Sequence, residues 1–427
     1  MNVMRKILFL TIIAFISAGS LLAQKSALRD SKRSLGRDDF NEARTLIQQA
    51  AQNPETANDP ETWKIMGDIG NKAFDNERTK AMLGQNANDK AMYDGLMESY
   101  APYLKADSLG QIPDEKGRVR NKVRGDISSI LQANHPFYIN GGVYYNDQGN
   151  YSKAADFFEM YWNIPTLPLY DKPESTFSLD STYQTIKYYA IITAIQAEQH
   201  ERALAMLKRA TSEPFIENSS YQESDLYELM ASEYINLGDS AMYLETLNLG
   251  AEKFPKSKYF IPNLVNVFIR EGNTEKAMQY LDQAISNDPT NSCDLNSVKG
   301  ALLAEQGDFE GAESEYKKAL VQDPNCERAL EALAVNYILQ AQNIKEASVQ
   351  ISDRQQQVAN DEKAIKFYEA SLAPLEKYAE LLRSRDASES EKQSALLKLR
   401  NVYYNLSNMG IDKSTEMEAV EKELNLN

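Results

Sequence analysis

Histidine and cysteine, the side chains that most often perform catalysis or bind metals, are scarce in this sequence of 427 residues. His135 precedes a proline and His200 precedes Arg202-Ala203, and both positions are typical of a turn or a helix cap. No His-Glu-x-x-His, Gly-x-x-x-x-Gly-Lys, Gly-x-Ser-x-Gly or calcium-loop motif occurs. We therefore predict a non-enzymatic protein with no catalytic residue, no metal site and no cofactor. The rival hypothesis, an enzyme, would require a polar pocket that holds a strongly perturbed carboxylate.

Cys293 and Cys326 are the only cysteines, and each lies near the start of a predicted helix. Packed helices lie about 8–10 Å apart from axis to axis, whereas a disulfide requires Cα atoms within about 7 Å of each other. The two cysteines also differ by about one residue in their positions within the repeat. The sequence therefore favours two buried or capping thiols and leaves open a disulfide, which export would permit.

Four cations alternate along a segment at residues 105–125 that is interrupted by glycine and proline: Arg118, Arg120, Lys122 and Arg124. In an extended segment, alternate side chains lie on the same side. One interpretation is a contact with an anionic ligand or partner. The favoured one is pairing with acidic residues of the same chain, because exposed charge runs are usually just solvated.

A repeat of 34 to 35 residues organises the chain around these residues. It is marked by three proline pairs, Phe254-Pro255, Asp288-Pro289 and Asp323-Pro324. Twelve residues before the last two prolines stand Ala277 and Ala312, each five residues after a glycine. Glycine permits a turn that ends one helix, and proline cannot continue the next helix. The period therefore predicts a helix–turn–helix unit whose alanines allow a close helix crossing.

A second signature precedes each turn, with large residues three and four positions apart, a small residue beside them and an aromatic residue at the end. Examples are Tyr138-Gly141-Gly142-Tyr145 and Tyr227-Met230-Ala231-Tyr234. These spacings place the large residues on one stripe of a helix. Together, the two signatures resemble the tetratricopeptide repeat family over nearly all of residues 25–427, most specifically in the middle third. The resemblance implies an all-α fold, a right-handed α-solenoid of stacked helix–turn–helix units.

Members of this family bind peptides, helices or whole domains in a concave groove lined by the first helix of each unit. By repeat position, the resemblance implies that the groove of this chain contains Tyr188, Ile192, Asp225, Glu228, Tyr259, Asn266, Arg270, Asp294 and Ser297. We expect binding in the units between residues 183 and 324, where the spacing is most regular.

The predicted organisation has four parts and eight or nine repeat units. A signal peptide occupies residues 1–23, and N-terminal helices with the insert at 105–125 occupy residues 24–134. Regular units follow at 135–326, and an elongated helical hairpin with C-terminal capping helices occupies 327–427. Residues 75–90 are expected to lengthen a turn.

The first residues predict export. Arg5 and Lys6 precede a ten-residue apolar run, and Ala23 offers a cleavage site after small residues. A membrane span requires about 20 apolar residues, so the sequence favours a soluble protein in the periplasm or outside a Gram-negative cell. Cleavage would change the net charge from −16 to −18, because residues 1–23 contain two basic and no acidic residues. This charge disfavours nucleic acid and anionic lipid as partners.

We therefore expect a protein–protein interaction scaffold of the cell envelope whose partner is another protein or a peptide. The alternative is a glycan- or peptide-binding accessory protein of an envelope uptake or secretion system. Exposed tryptophan or tyrosine in the groove would favour the glycan interpretation.

Overall fold

A computed structural model describes residues 26–287 and 292–424, and all regular secondary structure in these residues is helical. The predicted signal peptide and Pro289 lie outside the described residues. The helices in chain order are α1 (26–36), α2 (Phe40–Gln52), α3 (Pro60–Met82), α4 (Asp89–Gly110), α5 (Arg124–Asp147), α6 (Tyr151–Asn163), α7 (Pro173–Thr176), α8 (Ser181–Gln196), α9 (His200–Ser212), α10 (Glu223–Asn236), α11 (Ser240–Lys253), α12 (Phe260–Arg270), α13 (Thr274–Asn287), α14 (Ser292–Glu305), α15 (Phe309–Gln322), α16 (Glu327–Val349), α17 (Arg354–Ser384), α18 (Glu389–Asn408) and α19 (Ser414–Glu423). A 3₁₀ turn at Ile164–Thr166 follows α6.

Helices that are neighbours in the chain pack together, for example α3 with α4, α5 with α6, and α14 with α15. The predicted all-α fold of stacked helix pairs is confirmed. The chain divides into two compact units, the first ending at Leu237 and the second starting at Gly238. The predicted boundary between residues 134 and 135 falls inside α5. In the described part of the chain, no helix combines the length and the apolar character of a membrane span.

A glycine followed by an aspartate or asparagine joins the two helices of several pairs. Gly238 has a φ of 74°, a left-handed conformation that glycine adopts without strain. The next residue, Asp239, caps α11 by accepting a hydrogen bond from the backbone nitrogen of Met242 at 3.1 Å. The same arrangement occurs at Gly149-Asn150, Gly272-Asn273 and Gly307-Asp308. The glycine therefore ends one helix and the polar residue starts the next.

Two elements differ from the sequence-based expectation. Residues 75–82 continue α3 as a helix, and the turn begins only where Gly84 has a φ of 66°. The segment 75–82 contains no glycine or proline, so nothing in it interrupts a helix. α5 begins at Arg124 and contains Pro136, whereas we expected a helix to start beside that proline. The pyrrolidine ring is exposed, where the lost backbone hydrogen bond is tolerated more easily.

The predicted close helix crossings are occupied by alanines with no exposed surface, among them Ala277 and Ala312. In the second unit, Ala312 packs in a cluster with Tyr316 and Leu333. Replacing Ala312 with leucine should lower the free energy of unfolding by about 1–3 kcal/mol through overpacking. Urea unfolding followed by circular dichroism measures this change. Leucine at the exposed Ala241 is the matched control, and an equally small effect at both positions would contradict the crossing.

Cys293 in α14 and Cys326 at the N-cap of α16 form a disulfide, with Cα atoms 5.9 Å apart. The favoured interpretation of two separate thiols is therefore wrong. Distances between helix axes overestimate the separation of Cα atoms that face each other. Cys326 also precedes its helix, so its backbone is not confined to the helix cylinder.

Candidate functional site

A pocket of about 360 Å³ opens between α5 and α8 in the first unit. We call it the α5/α8 pocket, and its lining residues are Val143, Asn146, Phe158, Tyr189, Ile192, Thr193 and Gln196. Val143 follows Tyr138 by five residues, just as the expected groove residue Asn266 follows Ile261 in its own unit. Ile192 is itself an expected groove residue. The pocket therefore lies on the face that the repeat pattern assigns to binding.

The α5/α8 pocket is accessible, and its wall combines apolar and polar side chains. Val143 is 46% exposed and Tyr189 is 42% exposed, so two large side chains of the pocket face solvent. The floor is the buried ring of Phe158, whose centroid lies 5.9 Å from that of Tyr189. Gly142 on α5 has no side chain, and a Cβ atom there would collide with the Phe158 ring. The pocket thus combines a fixed aromatic floor with a rim on which Val143 and Tyr189 are exposed.

Three expected groove residues lie close together where α8 meets α10. The half-buried ring of Tyr188 stacks on Tyr221, with centroids 4.2 Å apart and planes at 15°. Burial raises the pKa of Tyr188, and the nearby carboxylates of Asp225 and Glu228 raise it further. Asp225 also caps α10 by accepting a hydrogen bond from the backbone nitrogen of Gln222 at 2.9 Å. Part of this cluster therefore has a structural role as well.

In the second unit, the structure does not bring the expected residues of α12 together. Tyr259 precedes α12 and packs edge-on against Phe260, with centroids 5.4 Å apart. Asn266 and Arg270 are exposed near the other end, where the Arg270 Nε donates to the Asn266 carbonyl at 3.3 Å. Tyr259 and Arg270 are separated by about 16 Å along the helix, given a rise of about 1.5 Å per residue. A single small ligand cannot contact both.

The two expected groove residues of α14 differ in their exposure to solvent. Asp294 is exposed and lies 3.5 Å from the Arg328 guanidinium. Ser297 is only 2% exposed, and its hydroxyl donates to the Cys293 carbonyl at 2.7 Å. The prediction that Ser297 lines the groove is wrong, because the disulfide brings Cys326 over this side chain.

Val143 and Asn146 are pocket residues that the sequence interpretation missed. The sequence did contain the information needed to find them, because the motif from Tyr138 to Tyr145 fixes the register of α5. The expected groove was limited to units after residue 183, so this helix was not considered. Nothing in the sequence indicated that Tyr189 would line the pocket, because its position in the repeat is not one of those assigned to the groove.

His135 and His200 each contact a residue of another helix, Tyr161 of α6 and Glu233 of α10. His135 is buried within α5, stacks on the Tyr161 ring at 4.0 Å, and has its Nε2 2.9 Å from the Tyr161 carbonyl oxygen. The expectation of a turn or cap is therefore wrong for His135, because α5 begins eleven residues earlier. His200 is the first residue of α9, and its Nδ1 lies 2.8 Å from a carboxylate oxygen of Glu233.

Burial lowers the pKa of His135 to about 4, although the contact with the Tyr161 carbonyl opposes this shift. The unfolded chain therefore binds more protons between pH 6.5 and pH 4, and stability falls as the pH is lowered through this range. We expect a loss of about 2–3 kcal/mol from this group. Urea unfolding at several pH values measures the loss, and His135→Phe should flatten the profile over this range. An unchanged profile in that variant would contradict the buried neutral histidine.

The half-buried carboxylate of Asp94 is held ionised. Burial acts to raise its pKa, but contacts with Lys153, Lys90 and Tyr145 lower it to about 2. The Lys153 ammonium lies 2.7 Å away. A carboxylate of this kind suits ion pairing and not proton transfer near pH 7. Among the described residues, no cluster of histidine, cysteine and carboxylate side chains could hold a metal ion.

Comparison with known proteins gives one family match. The tetratricopeptide repeat family matches residues 263–291, which cover most of α12 and α13. A search of curated proteins finds no match.

Several solved structures of helical repeat proteins are similar to parts of this chain. The C-terminal part of a TPR repeat-containing protein from Cytophaga hutchinsonii is 15% identical, covers 65% of this chain and 94% of its own, and has a TM-score of 0.33. A TPR repeats protein from Bacteroides fragilis is 14% identical, with coverages of 61% and 97% and a TM-score of 0.31. PilW, a type IV pilus biogenesis factor, is 19% identical, with coverages of 57% and 93% and a TM-score of 0.33. At these identities and scores the likenesses say nothing about what this chain binds.

The helix pairs, their glycine turns and the buried alanines at their crossings define an α-helical repeat protein. Within that chain, residues 263–291 match the tetratricopeptide repeat.

Proposed function

We propose that this protein is a non-enzymatic scaffold of the cell envelope that binds a segment of a partner protein in the α5/α8 pocket. The observation that carries the proposal is the exposure of Val143 and Tyr189 over the fixed ring of Phe158. Tyrosine is enriched among the anchors of protein interfaces, and a contiguous exposed apolar patch marks an interaction site. The partner is expected to insert an apolar side chain there.

The envelope location is part of the proposal and rests on two features. One is the sequence of residues 1–23, with its basic start, short apolar run and small residues. The other is the disulfide between Cys293 and Cys326, since disulfides persist mainly in oxidising compartments. N-terminal sequencing of the native protein should begin at Gln24. A mature species that begins at Met1 would contradict export by this route.

The alternative is an accessory protein that binds either a glycan or a peptide. Exposed tryptophans would favour the glycan. Trp162 is fully buried, and the Trp63 indole donates to the Ala57 carbonyl at 2.7 Å. Neither tryptophan is exposed, but Tyr189 in the α5/α8 pocket is 42% exposed. The exposed Tyr189 ring therefore favours the glycan form, whereas the exposed Val143 beside it favours the peptide form.

A photo-crosslinking amino acid placed at Val143 or at Tyr189 in intact cells tests the proposed function. Mass spectrometry should identify the same captured protein from both positions. The matched control is the same amino acid at Val321, which is 79% exposed in the second unit. Capture of one protein equally from all three positions would contradict a specific pocket.

The purified partner then allows a quantitative comparison of two double variants. Val143→Ala with Tyr189→Ala should weaken binding by about 2 kcal/mol or more if these residues are anchors. Tyr259→Ala with Arg270→Ala tests the expected groove of the second unit. Circular dichroism and melting temperature control for folding. Unchanged affinity in the folded first variant would reject the α5/α8 pocket as the site.

A further inference from the structure

The insert between α4 and α5, residues 111–123, has a fixed turn at its tip. The Asp114 Oδ1 accepts hydrogen bonds from the backbone nitrogens of Lys116 and Arg118, both at 2.9 Å. Its Oδ2 pairs with the Arg118 guanidinium at 2.9 Å. Gly117 supplies the left-handed conformation that closes the turn, with a φ of 74°. One aspartate thus fixes both the backbone and a side chain of the tip.

The base of the insert is attached to α4 through Asn121. The Asn121 Nδ2 donates to the carbonyl oxygen of Asp107 at 3.0 Å and to its carboxylate at 2.7 Å. The Asn121 Oδ1 accepts from the backbone nitrogens of Val123 and Arg124. A Cβ atom on Gly110 would collide with the Asn121 side chain, so the approach is close. With its tip and base fixed, the insert presents its other side chains at little entropic cost to binding.

Those other side chains include apolar and cationic residues and one exposed carboxylate, Glu115. Ile112 is 63% exposed and Val119 is 50% exposed. Arg120 is exposed, and its Nε lies 3.9 Å from Asp114, which Arg118 already engages more closely. In the described part of the chain, no acidic side chain lies within ion-pairing distance of the exposed Lys122. The favoured expectation of self-pairing therefore agrees with the structure at Arg118 and Arg124 but not at Lys122.

A pocket of about 650 Å³ opens beside the insert. Its lining residues are Leu104, Asp107, Ser108, Gln111, Arg124, Leu167, Pro168 and Leu169. Arg124 and Asp107 form an ion pair at 3.1 Å in the wall, so their charges compensate each other. Most of the remaining wall is apolar. We call the insert and this recess together the insert surface.

We propose that the insert surface is a second docking site, which binds an acidic segment of a partner protein that carries leucine-sized side chains. The apolar side chains would enter the recess, while Arg120 and Lys122 would pair with the carboxylates of the segment. Charge complementarity favours this occupant, because the insert surface is a cationic edge on a chain of net charge −16. The same net charge opposes a membrane, since an anionic lipid surface would repel the rest of the chain. This proposal does not depend on the α5/α8 pocket.

The test uses the full chain and a labelled synthetic peptide in which leucines alternate with glutamates, with binding measured by fluorescence anisotropy. Two matched peptides carry lysine in place of glutamate, or serine in place of leucine. We expect only the first peptide to bind, and salt to weaken it. Arg120→Glu with Lys122→Glu should reduce its affinity by at least about tenfold. Ser108→Trp, at an exposed position, should fill the recess and reduce affinity without changing the charge.

Lys256→Glu with Lys258→Glu is the matched control, because it changes the net charge equally at exposed positions of the second unit. This variant and Val143→Ala with Tyr189→Ala should keep the affinity for the peptide. The proposal is overturned if the peptide does not bind, or if the lysine peptide binds equally well. It is also overturned if the α5/α8 variant abolishes binding, or if the insert variants affect only binding to phosphatidylglycerol vesicles.

Discussion

Replacing Gly70 with valine should destabilise the first unit by at least about 3 kcal/mol, at or beyond the upper end of overpacking effects. Gly70 on α3 and Gly95 on α4 meet where the two backbones cross. A Cβ atom on Gly70 would lie 2.7 Å from the Gly95 carbonyl oxygen and 2.8 Å from the Ser99 nitrogen. These neighbours are backbone atoms of a helix, so no change of side-chain rotamer relieves the contact. The two helices would have to separate.

Hydrogen exchange read out by mass spectrometry measures this effect locally, because a chain with two units need not unfold in one step. Peptides from α3 and α4 should lose protection, while those of the second unit should keep it. Gly125→Ala is the matched control, because Gly125 also lies in a helix but has no atom within 4 Å of an added Cβ. Alanine there should be neutral or stabilise by up to about 1 kcal/mol. Equal effects of the two substitutions would contradict the backbone crossing.

The repeat could be predicted from the sequence because its determinants are local. A glycine five residues before a small residue, followed directly by a capping side chain, specifies a turn without any knowledge of distant contacts. Helix lengths were less predictable, since α3 and α5 extend beyond the repeat pattern. Their extra turns contain residues that suit a helix, and only packing decides whether such residues join it.

The repeat register assigns Ile192 to the expected groove, and in the structure Ile192 lines the α5/α8 pocket. The same register, applied to α5, gives Val143. It could not show that Ser297 is buried, because that depends on how α16 lies over α14. Nor could it show the recess beside the insert, since Leu104 and Leu167 are distant in sequence and meet only in the folded chain.

The disulfide between Cys293 and Cys326 also could not be predicted from the repeat pattern. Its removal is the second substitution for which we expect a large loss of stability. Cys326 is buried against Ala319 and Ala329, whereas Cys293 is half-buried. The bond joins residues 33 positions apart, so it closes a loop of intermediate length. A cross-link of this length limits the unfolded chain and stabilises the folded state by about 3–4 kcal/mol in the chain-entropy description.

We expect Cys293→Ser with Cys326→Ala to lower the free energy of unfolding of the second unit by about 3–4 kcal/mol. Serine suits the half-buried position and alanine suits the apolar one, so neither change leaves a buried polar group unsatisfied. Urea unfolding of the full chain, with and without a phosphine reductant, provides the measurement. The reductant should shift the wild-type curve towards that of the variant and leave the variant unchanged, which separates the bond from the side-chain substitutions. Alkylation of two free thiols in unfolded, unreduced protein purified from its native compartment would show that the bond does not form there.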